Sequence, residues 1–357
     1  MVTFAQRRWL ALGRRCLGPA GRIYAGAMRA REAFYAARLL SSWRPPVPCV
    51  AVGNISWGGS GKTPLAEWIL RFAQDAGMTP ALLSRGYKAN PPYHPFLVRP
   101  DTSVREAGDE PLMMARSCRG ALVVIDPKRD RGGQWIWERN RPDLFVLDDG
   151  MQHLRVKRDL NLVLLTPRDL KEDWNRVLPS GPWREGEKAL RRADAFLISA
   201  TPGSEEGAFA RLRSRIAPGD RPVFFMHVNA VGLTRPDGSR ARFSPGEPYL
   251  LLSGVGHPQA VEESVTTLLG DPPQRHLIFP DHHSFSGEDW ERIRSKADAL
   301  SCGTIVCTSK DAVKLEKVDD PRLAYLELRC AFGEAENTRL DFPTWLKERL
   351  LAASRRE

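Results

Sequence analysis

The run Trp57-Gly58-Gly59-Ser60-Gly61-Lys62-Thr63 constrains the fold more than any other part of the chain. Residues 48–53 before it are apolar and predict a buried strand, and residues 64–72 after it predict a helix with proline in its first turn. In this context the backbone N–H groups of the turn and the positive end of the helix dipole face an anion. Lys62 would then reach the outer phosphates of a nucleotide, and the Thr63 hydroxyl would ligate Mg²⁺.

Ser56 occupies the position where the general G-x-x-x-x-G-K-[ST] motif has its first glycine, so an ordinary glycine-rich turn is the alternative. We predict a nucleoside triphosphate site whose phosphate-binding residues are Ser56, Trp57, Gly58, Gly59, Ser60, Gly61, Lys62 and Thr63. The segment Ser309-Lys310-Asp311 lacks the N-K-x-D spacing of a guanine pocket, which favours ATP over GTP.

From Pro45-Pro46 onward, predicted strands and helices alternate, which indicates a parallel sheet with helices on both faces. Residues 222–243 suggest an antiparallel ribbon with a turn at 236–239, and a second α/β unit follows. We therefore predict an α/β fold with four parts: amino-terminal helices over 1–44, a P-loop NTPase-like domain over 45–220, a β-ribbon linker over 221–243, and a smaller α/β domain with a carboxyl-terminal helix over 244–357.

Composition indicates a folded cytoplasmic protein. Of the 357 residues, 42% are hydrophobic and 27% are charged, which suits a substantial core. The six cysteines are scattered and form no C-x-x-C pair, so reduced thiols are expected instead of a disulfide framework or a zinc site. Arginines interrupt the apolar stretches, and no uncharged run approaches the roughly 18 to 20 residues of a membrane span.

The first 44 residues are strongly basic, with nine arginines against one acid, Glu32. Bulky apolar residues stand between these arginines at roughly helical spacing, as in helices that lie in a membrane interface with cations over anionic headgroups. A basic helix packed on the body of the protein and a nucleic-acid patch are the alternatives. Gly18-Pro19 and Gly21 predict a division into two helices. The arginines are Arg7, Arg8, Arg14, Arg15, Arg22, Arg29, Arg31, Arg38 and Arg44.

Paired carboxylates, Asp148 and Asp149, end a predicted apolar strand. In nucleotide-binding sheets an acid at the carboxyl end of a strand beside the P-loop strand holds Mg²⁺. We expect these two residues to bind metal together with Thr63, and a surface Asp-Asp turn is the alternative. Arg85 and Arg129 each follow a predicted strand, where a guanidinium group is suited to phosphate.

Asp109 and His282 are ambiguous from local sequence. Asp109 precedes Glu110 and Pro111, so it suits a helix N-cap, and this function is favoured locally over that of a general base aimed at a phosphoryl acceptor. His282 and His283 close a predicted strand of the second unit without further His or Cys at ligand spacing, which favours a catalytic histidine beside a carboxylate over zinc.

Taken together, short runs along the chain resemble one family, tetraacyldisaccharide 4′-kinase, the lipid A 4′-kinase of Gram-negative bacteria. The departures Ser60, Met151 and Ser309 remove no chemical group that the reaction needs. The matching runs occur in family order and are Val52-Gly53-Asn54, Gly58 to Pro64, Ser84 to Tyr87, Ala107 to Pro111, Asp148 to His153, Leu178 to Glu185, Gly254 to Pro258, Pro280 to His283 and Thr308 to Lys314.

The resemblance implies transfer of the ATP γ-phosphate to the 4′-hydroxyl of a tetraacylated glucosamine disaccharide 1-phosphate, which gives lipid IVA. It implies Asp109 as the base, oriented by His282, and so reverses the capping preference. Lys62, Arg129, and Mg²⁺ on Thr63 and the Asp148/Asp149 pair would neutralise charge. A substrate with four acyl chains stays in the bilayer, so the basic helices are expected on the anionic cytoplasmic face of the inner membrane, as part of a peripheral, monomeric enzyme.

Two other classes of protein also use a P-loop. A membrane-associated switch ATPase of the deviant-Walker type carries an extra lysine near the start of the loop, and Ile55-Ser56-Trp57 offers none. A nucleic-acid-dependent ATPase would explain the arginines but not Asp109 and His282, so no nucleic-acid partner is expected.

Overall fold

One mixed sheet of 13 strands runs through the part of the chain that the structure describes. The computed structural model describes residues 4–200, 207–216, 219–315 and 318–355, with side chains from residue 17 onward. The strands are β1 (Cys49–Asn54), β2 (Pro80–Ser84), β3 (Phe96–Val98), β4 (Leu122–Ile125), β5 (Leu144–Asp148), β6 (Leu160–Leu165), β7 (Ala195–Ser199), β8 (Val223–Thr234), β9 (Arg240–Ala241), β10 (Tyr249–Ser253), β11 (Arg275–Ile278), β12 (Thr304–Thr308) and β13 (Leu323–Glu336). Across the sheet the order is β11-β10-β12-β13-β8-β7-β6-β1-β5-β2-β4-β3, and β9 pairs with β8.

Helices cover both faces of this sheet, as the sequence predicts. Val50 and Val52 of β1 pack into one core cluster, while Cys49 and Ala51 pack into another on the opposite face. A strand buried on both faces needs a continuous apolar sequence, which is what β1 has. The helices are α1 (Phe4–Ala36), α2 (Lys62–Asp75), α3 (Val104–Ala107), α4 (Asp109–Ser117), α5 (Arg129–Asn140), α6 (Pro167–Leu170), α7 (Ala208–Ile216), α8 (Pro258–Leu269), α9 (Gly287–Ala299), α10 (Ser309–Ala312) and α11 (Phe342–Ser354).

The long strands β8 and β13 join two parallel halves of the sheet. β8 pairs in parallel with β7 of the P-loop half, β13 pairs in parallel with β12 of the second half, and β8 and β13 pair antiparallel with each other. The antiparallel pairing predicted within residues 222–243 is present between β8 and β9, but it is short and the sequence did not predict the main partner of β8. That partner is β13, and β9 pairs with β8 through Leu233 and Thr234 alone. A pairing across so long a separation leaves no local turn signal.

This ribbon makes the carboxyl ends of the two halves face each other. The P-loop half is attached where β8 begins, at Val223 to Met226, and the second half is attached where β13 begins, at Leu323 to Leu326. Because β8 and β13 are antiparallel, the strands of one half point toward the strands of the other. Loops that follow parallel strands carry function in such sheets, so the two loop-bearing edges enclose one cleft.

The amino-terminal segment forms the single helix α1, which contains Pro19, so the predicted division into two helices is wrong. Gly21 serves close packing: a Cβ atom there would lie 2.9 Å from Ser180 Oγ and 3.0 Å from the Val177 carbonyl oxygen. Of the predicted arginines in this segment, the side chains of Arg7, Arg8, Arg14 and Arg15 lie outside the described residues. Among the described helices, none combines the length and apolar character needed to cross a bilayer.

The carboxyl-terminal helix α11 packs on the P-loop half. Phe342 and Leu346 belong to the same core cluster as Leu65 and Ile69 of α2, and the Phe342 and Trp68 ring centroids are 5.4 Å apart. The helix is present as predicted, but its contacts lie with the half that precedes the ribbon. The predicted boundaries at residues 44, 220 and 243 remain a prediction.

Candidate active site

The P-loop lies between β1 and α2, as the sequence predicts. Gly61 precedes α2 with φ at 81°, a backbone conformation that favours glycine. A Cβ atom there would also lie 2.8 Å from Met226 Cε, so the Met226 side chain would have to move. The Lys62 ammonium donates to Asn54 Oδ1 at 3.0 Å and lies 3.8 Å from Asp149 Oδ1. Burial lowers the pKa of Lys62, and the charge of Asp149 opposes that effect. The helix dipole and this lysine thus face the same edge of the sheet.

Asp148 and Asp149 lie at the end of β5, directly beside the P-loop strand, and Asp148 is in register with Val52. Asp149 has φ at 49° and accepts a hydrogen bond from Arg184 Nη1 at 2.5 Å. Burial alone would raise the pKa of Asp149, but the positive charges of Lys62 and Arg184 hold it below its usual value. This aspartate is therefore ionised and already engaged by two cations.

The environment of Asp148 is different. Its carboxylate accepts from the Ser84 hydroxyl at 3.4 Å. Burial, followed by repulsion from Glu110 and Asp149, raises the pKa of Asp148 to about 6. A carboxylate held among like charges favours a cation nearby, so Asp148 is the better placed of the pair to receive one.

Thr63 and Glu110 join this acidic cluster from the P-loop and from α4. The Thr63 hydroxyl donates to Glu110 Oε2 at 3.5 Å. The other oxygen of Glu110 accepts from the Lys310 ammonium, which comes from α10 in the second half. Local sequence assigns no role to either Glu110 or Lys310. Glu110 could have been noticed because it is a carboxylate beside the predicted base, and Lys310 because it follows a strand end. Nothing in the local sequence shows that the two side chains meet.

Asp109 and His282 meet across the cleft. Asp109 Oδ2 accepts from His282 Nδ1 at 2.9 Å, since a carboxylate can only accept. The N-cap residue of α4 is Gly108, and no side chain caps this helix. Asp109 therefore does not perform the capping function favoured from local sequence. Lys314 Nζ lies 3.9 Å from the same carboxylate oxygen.

His282 is held in an uncommon backbone conformation, with φ at 60°. Its backbone N–H donates to the Gly254 carbonyl at 3.1 Å, and its ring centroid lies 5.4 Å from that of Tyr87 in the P-loop half. His283, next in sequence, points to a different partner, Asp289, with Nε2 and Oδ2 3.0 Å apart. The two adjacent histidines thus do not form a joint metal site.

Arg129 lies behind the two aspartates at the start of α5. It is only 6% exposed, and its Nε has no hydrogen-bond partner among the described residues. Burial lowers the pKa of Arg129, and the charges of Asp148 and Asp149 oppose the effect. An arginine with an unused donor at the phosphate-binding edge is suited to an anionic ligand.

A second hydrogen-bonded set lies in the other half of the molecule. Ser253 Oγ is 2.7 Å from His276 Nε2, and His276 Nδ1 is 2.8 Å from Glu262 Oε2. A serine hydrogen-bonded to a histidine, which is in turn hydrogen-bonded to a carboxylate, has the geometry of an activated nucleophile. However, Ser253 is fully buried, at 0% exposed, so a substrate cannot reach it. We interpret this set as a structural support for the loop that begins at Gly254.

The predicted residues are thus brought together at one edge, with a P-loop, an acidic cluster beside it, and a carboxylate–histidine pair opposite. A Cβ atom on Gly59 would lie 3.6 Å from His257 Cδ2, so the second half also reaches the P-loop itself. Trp57 is 66% exposed in this loop. Fold and site together define a P-loop kinase, in which a nucleotide at one sheet edge faces an acceptor base.

Comparison with known proteins identifies the family. A family model described as tetraacyldisaccharide-1-P 4′-kinase matches residues 13–347. A tetraacyldisaccharide 4′-kinase of Nitratidesulfovibrio vulgaris is 46% identical over 334 residues, which cover 93% of this chain and 93% of that protein. One of Pseudomonas entomophila is 35% identical over 84% of this chain and 82% of that protein.

A solved structure agrees with the sequence relatives. The crystal structure of LpxK from Aquifex aeolicus in complex with ATP has a TM-score of 0.75 and 28% identity, with 96% of this chain and 99% of that chain covered. The present chain belongs to the tetraacyldisaccharide-1-P 4′-kinase family. It is an ATP-dependent kinase of lipid A biosynthesis.

Proposed function

We propose that Asp109 is the general base of this kinase and takes the proton from the 4′-hydroxyl of a tetraacylated glucosamine disaccharide 1-phosphate. The observation that supports the proposal is the 2.9 Å hydrogen bond between Asp109 Oδ2 and His282 Nδ1. The neighbouring Glu110 contacts the P-loop residue Thr63, so the pair lies near the phosphate-binding edge. An imidazole that donates to a carboxylate fixes its orientation and leaves the second carboxylate oxygen for the acceptor. Lys314 Nζ, 3.9 Å from the same carboxylate oxygen, places a positive charge beside the proposed base.

The phosphate chain of ATP would lie along the P-loop, with Lys62 and the backbone N–H groups of residues 58–63 around it. Phosphoryl transfer requires alignment and neutralisation of charge more than covalent chemistry by the protein. Lys62 and Arg129 supply positive charge from the P-loop half, and Arg184 holds Asp149 in place. The protein then aligns the γ-phosphate with the acceptor oxygen held by Asp109.

The oxygen ligands present fit Mg²⁺. Within the described ranges, no three carboxylate, histidine or cysteine side chains converge as a complete metal site. Mg²⁺ in kinases is bound by one or two protein oxygens together with substrate phosphates, which is what Thr63 and Asp148 offer. Asp149 would act beside them through its ion pairs. When bound, the cation would neutralise negative charge on the phosphates.

We further propose that α1 holds the enzyme on the anionic cytoplasmic face of the inner membrane. Tyr24 and Ala25 pack against a core cluster of the body, whereas Ile23 and Phe34 are 75% and 50% exposed on the outer side. Arg22 and Arg29 are exposed beside them. The inner face of the helix therefore packs on the body of the protein. Its outer face is apolar and flanked by cations, which suits a bilayer surface. A monomeric state and the absence of a nucleic-acid partner remain predictions.

A phosphotransfer assay tests the reaction. The purified protein is mixed with radiolabelled ATP, Mg²⁺ and disaccharide 1-phosphate in detergent micelles, and the lipid product is separated and its phosphate position determined. We expect transfer to the 4′ position and slow ATP hydrolysis without acceptor. A P-loop switch ATPase would instead hydrolyse ATP without labelling the lipid, and that result would reject the proposal.

A further inference from the structure

Lys310 reaches from the second half of the molecule to the acidic cluster beside the P-loop. It follows β12 in the first turn of α10, and the Thr308 side chain caps that turn by accepting from Asp311 N. The Asp311 carboxylate is completely buried and accepts from Gly254 N at 3.0 Å and from the Thr308 hydroxyl at 2.7 Å. The backbone that carries Lys310 is therefore fixed, while its side chain extends into the cleft.

The Lys310 ammonium is linked to the P-loop through one carboxylate. It contacts Glu110 Oε1, and Glu110 Oε2 accepts from the Thr63 hydroxyl at 3.5 Å. Thr63 is the P-loop residue that would hold Mg²⁺. One carboxylate thus separates Lys310 from the place where the γ-phosphate would lie.

Lys310 in α10 and Lys314 in the turn that follows it differ in exposure and in their carboxylate partners. Lys314 has a side chain that is 5% exposed and lies 2.7 Å from the buried Asp311 carboxylate. Lys310 has a side chain that is 28% exposed, and its partner Glu110 is 33% exposed. The Lys310–Glu110 contact can therefore exchange with a ligand that enters the cleft. The charges of Glu110, Asp281 and Asp109 outweigh burial and raise the pKa of Lys310, so it carries its proton at neutral pH.

We propose that Lys310 is a further catalytic residue, which leaves Glu110 and binds the equatorial oxygens of the phosphoryl group during transfer. The inference rests on the proposed function. In the reaction the bond from the γ-phosphorus to the β–γ bridging oxygen breaks, the bond to the 4′-oxygen forms, and the hydroxyl proton passes to Asp109. Lys310 keeps its proton throughout and supplies positive charge from the half opposite Lys62. This positive charge stabilises the negative charge on the phosphoryl oxygens most strongly in the transition state.

The test compares Lys310→Ala, Lys310→Met and Lys310→Arg with Lys296→Ala, which changes an exposed lysine of α9. Two quantities are measured for each: kcat in the micelle assay, and equilibrium binding of ADP–Mg²⁺ with and without aluminium fluoride, which mimics the planar phosphoryl group without needing an acceptor. We expect kcat of the Ala and Met variants to fall about a hundredfold or more. Their ADP affinity should stay within about threefold of wild type, while the gain in affinity from aluminium fluoride is lost.

Two further measurements distinguish a catalytic role of Lys310 from a role that only balances the charge of Glu110. Lys310→Arg should keep part of the fluoride-dependent gain, and ethylammonium should restore part of the activity of Lys310→Ala when an equal concentration of sodium does not. If the Met variant binds ADP–aluminium fluoride as wild type does, the proposal is wrong. Failure of wild-type phosphotransfer would count against the proposed reaction instead, because fluoride-dependent binding does not depend on the lipid acceptor.

Discussion

Asp109 Oδ2 and His282 Nδ1 lie 2.9 Å apart, although 173 residues separate them in the chain. Each residue comes from a different parallel half of the sheet, and the β8–β13 ribbon turns the carboxyl ends of those halves toward each other. The pair therefore exists only when the halves are assembled. A base formed in this way is oriented by the same fold that forms the P-loop.

The first prediction concerns this pair. Asp109→Ala should lower kcat strongly and leave ATP affinity nearly unchanged, since Asp109 faces the acceptor and not the nucleotide. His282→Ala should also be impaired, and the double variant should be little worse than the more damaged single variant because coupled residues act as a unit. Steady-state kinetics with a separate ATP-binding measurement check this. Asp271→Ala, at an exposed position, is the control; multiplicative losses would mean that the two residues act independently.

A second prediction concerns the cation-binding side of the P-loop. Thr63→Ala and Asp148→Ala should each reduce turnover by about a hundredfold or more, because groups of this kind contribute roughly 3 kcal/mol in the transition state. The loss should be partly recovered at high Mg²⁺ if each variant retains some metal affinity. Turnover is measured over a Mg²⁺ titration, with Asp75→Ala, at an exposed position of α2, as control. Wild-type turnover at ordinary Mg²⁺ would exclude the substituted residue from the metal site.

The third prediction is a pH dependence of stability. Burial, with the positive charge of Arg129 second, lowers the pKa of His153 to about 3. The unfolded chain therefore binds a proton that the folded chain does not, so stability falls as pH drops below the unfolded value of about 6.5. Between pH 7 and pH 5 this group contributes at most about 2 kcal/mol of destabilisation.

His153→Gln should remove that part of the acid sensitivity. Thermal unfolding is followed at pH 7, 6 and 5. The melting temperature of the variant minus that of wild type should increase as pH falls. His94→Gln, at an exposed position, should show no comparable shift. A difference that stays constant with pH would show that His153 titrates normally.

The fourth prediction concerns the outer face of α1. Ile23→Asn with Phe34→Asn should weaken binding to phosphatidylethanolamine–phosphatidylglycerol vesicles at least tenfold, since each large apolar side chain contributes about 1.5–3 kcal/mol when buried. Arg22→Glu with Arg29→Glu should instead reduce the salt-sensitive part of binding. Co-sedimentation over a salt series measures both effects.

A matched substitution on another surface controls for general loss of apolar area. Val231→Asn on β8 changes a residue that is 38% exposed and should bind vesicles as wild type does. These variants are preferable to removal of residues 1–44, because Tyr24 and Ala25 pack on the body and truncation would uncover that cluster. Unchanged sedimentation of the Ile23/Phe34 variant would place the anchor elsewhere and leave α1 as a packed helix.

The features that the sequence predicted correctly are those that neighbouring residues determine. The strand, turn and helix of the P-loop follow from adjacent residues, and so does the end of β5 at Asp148. The sequence did not reveal β13, since its antiparallel partner β8 is distant in the chain and only the assembled sheet shows the pairing. Gly18-Pro19 and Gly21 predicted a break in the first helix, whereas α1 continues through Pro19.

The same distinction applies to the site. Lys62, Thr63 and the two aspartates after β5 could be predicted from their position at a strand end. The capping preference for Asp109 was reversed only by resemblance to a family, because its partner comes from the other half. Lys310 and Glu110 meet for the same non-local reason, and no spacing in the chain predicts their contact.

The ribbon also determines the order in which the protein can be completed during synthesis. Thr234 and Glu327 contact each other although they lie 93 residues apart, and α11, which covers the core beside α2, follows later still. Chains emerge at about 5–20 residues per second, so the P-loop half waits several seconds with an open strand edge and an uncovered apolar face. Residues of β13 and α11, which are synthesised after the P-loop half, are thus the ones that cover it, and a nascent chain has its phosphate loop well before it has a finished kinase.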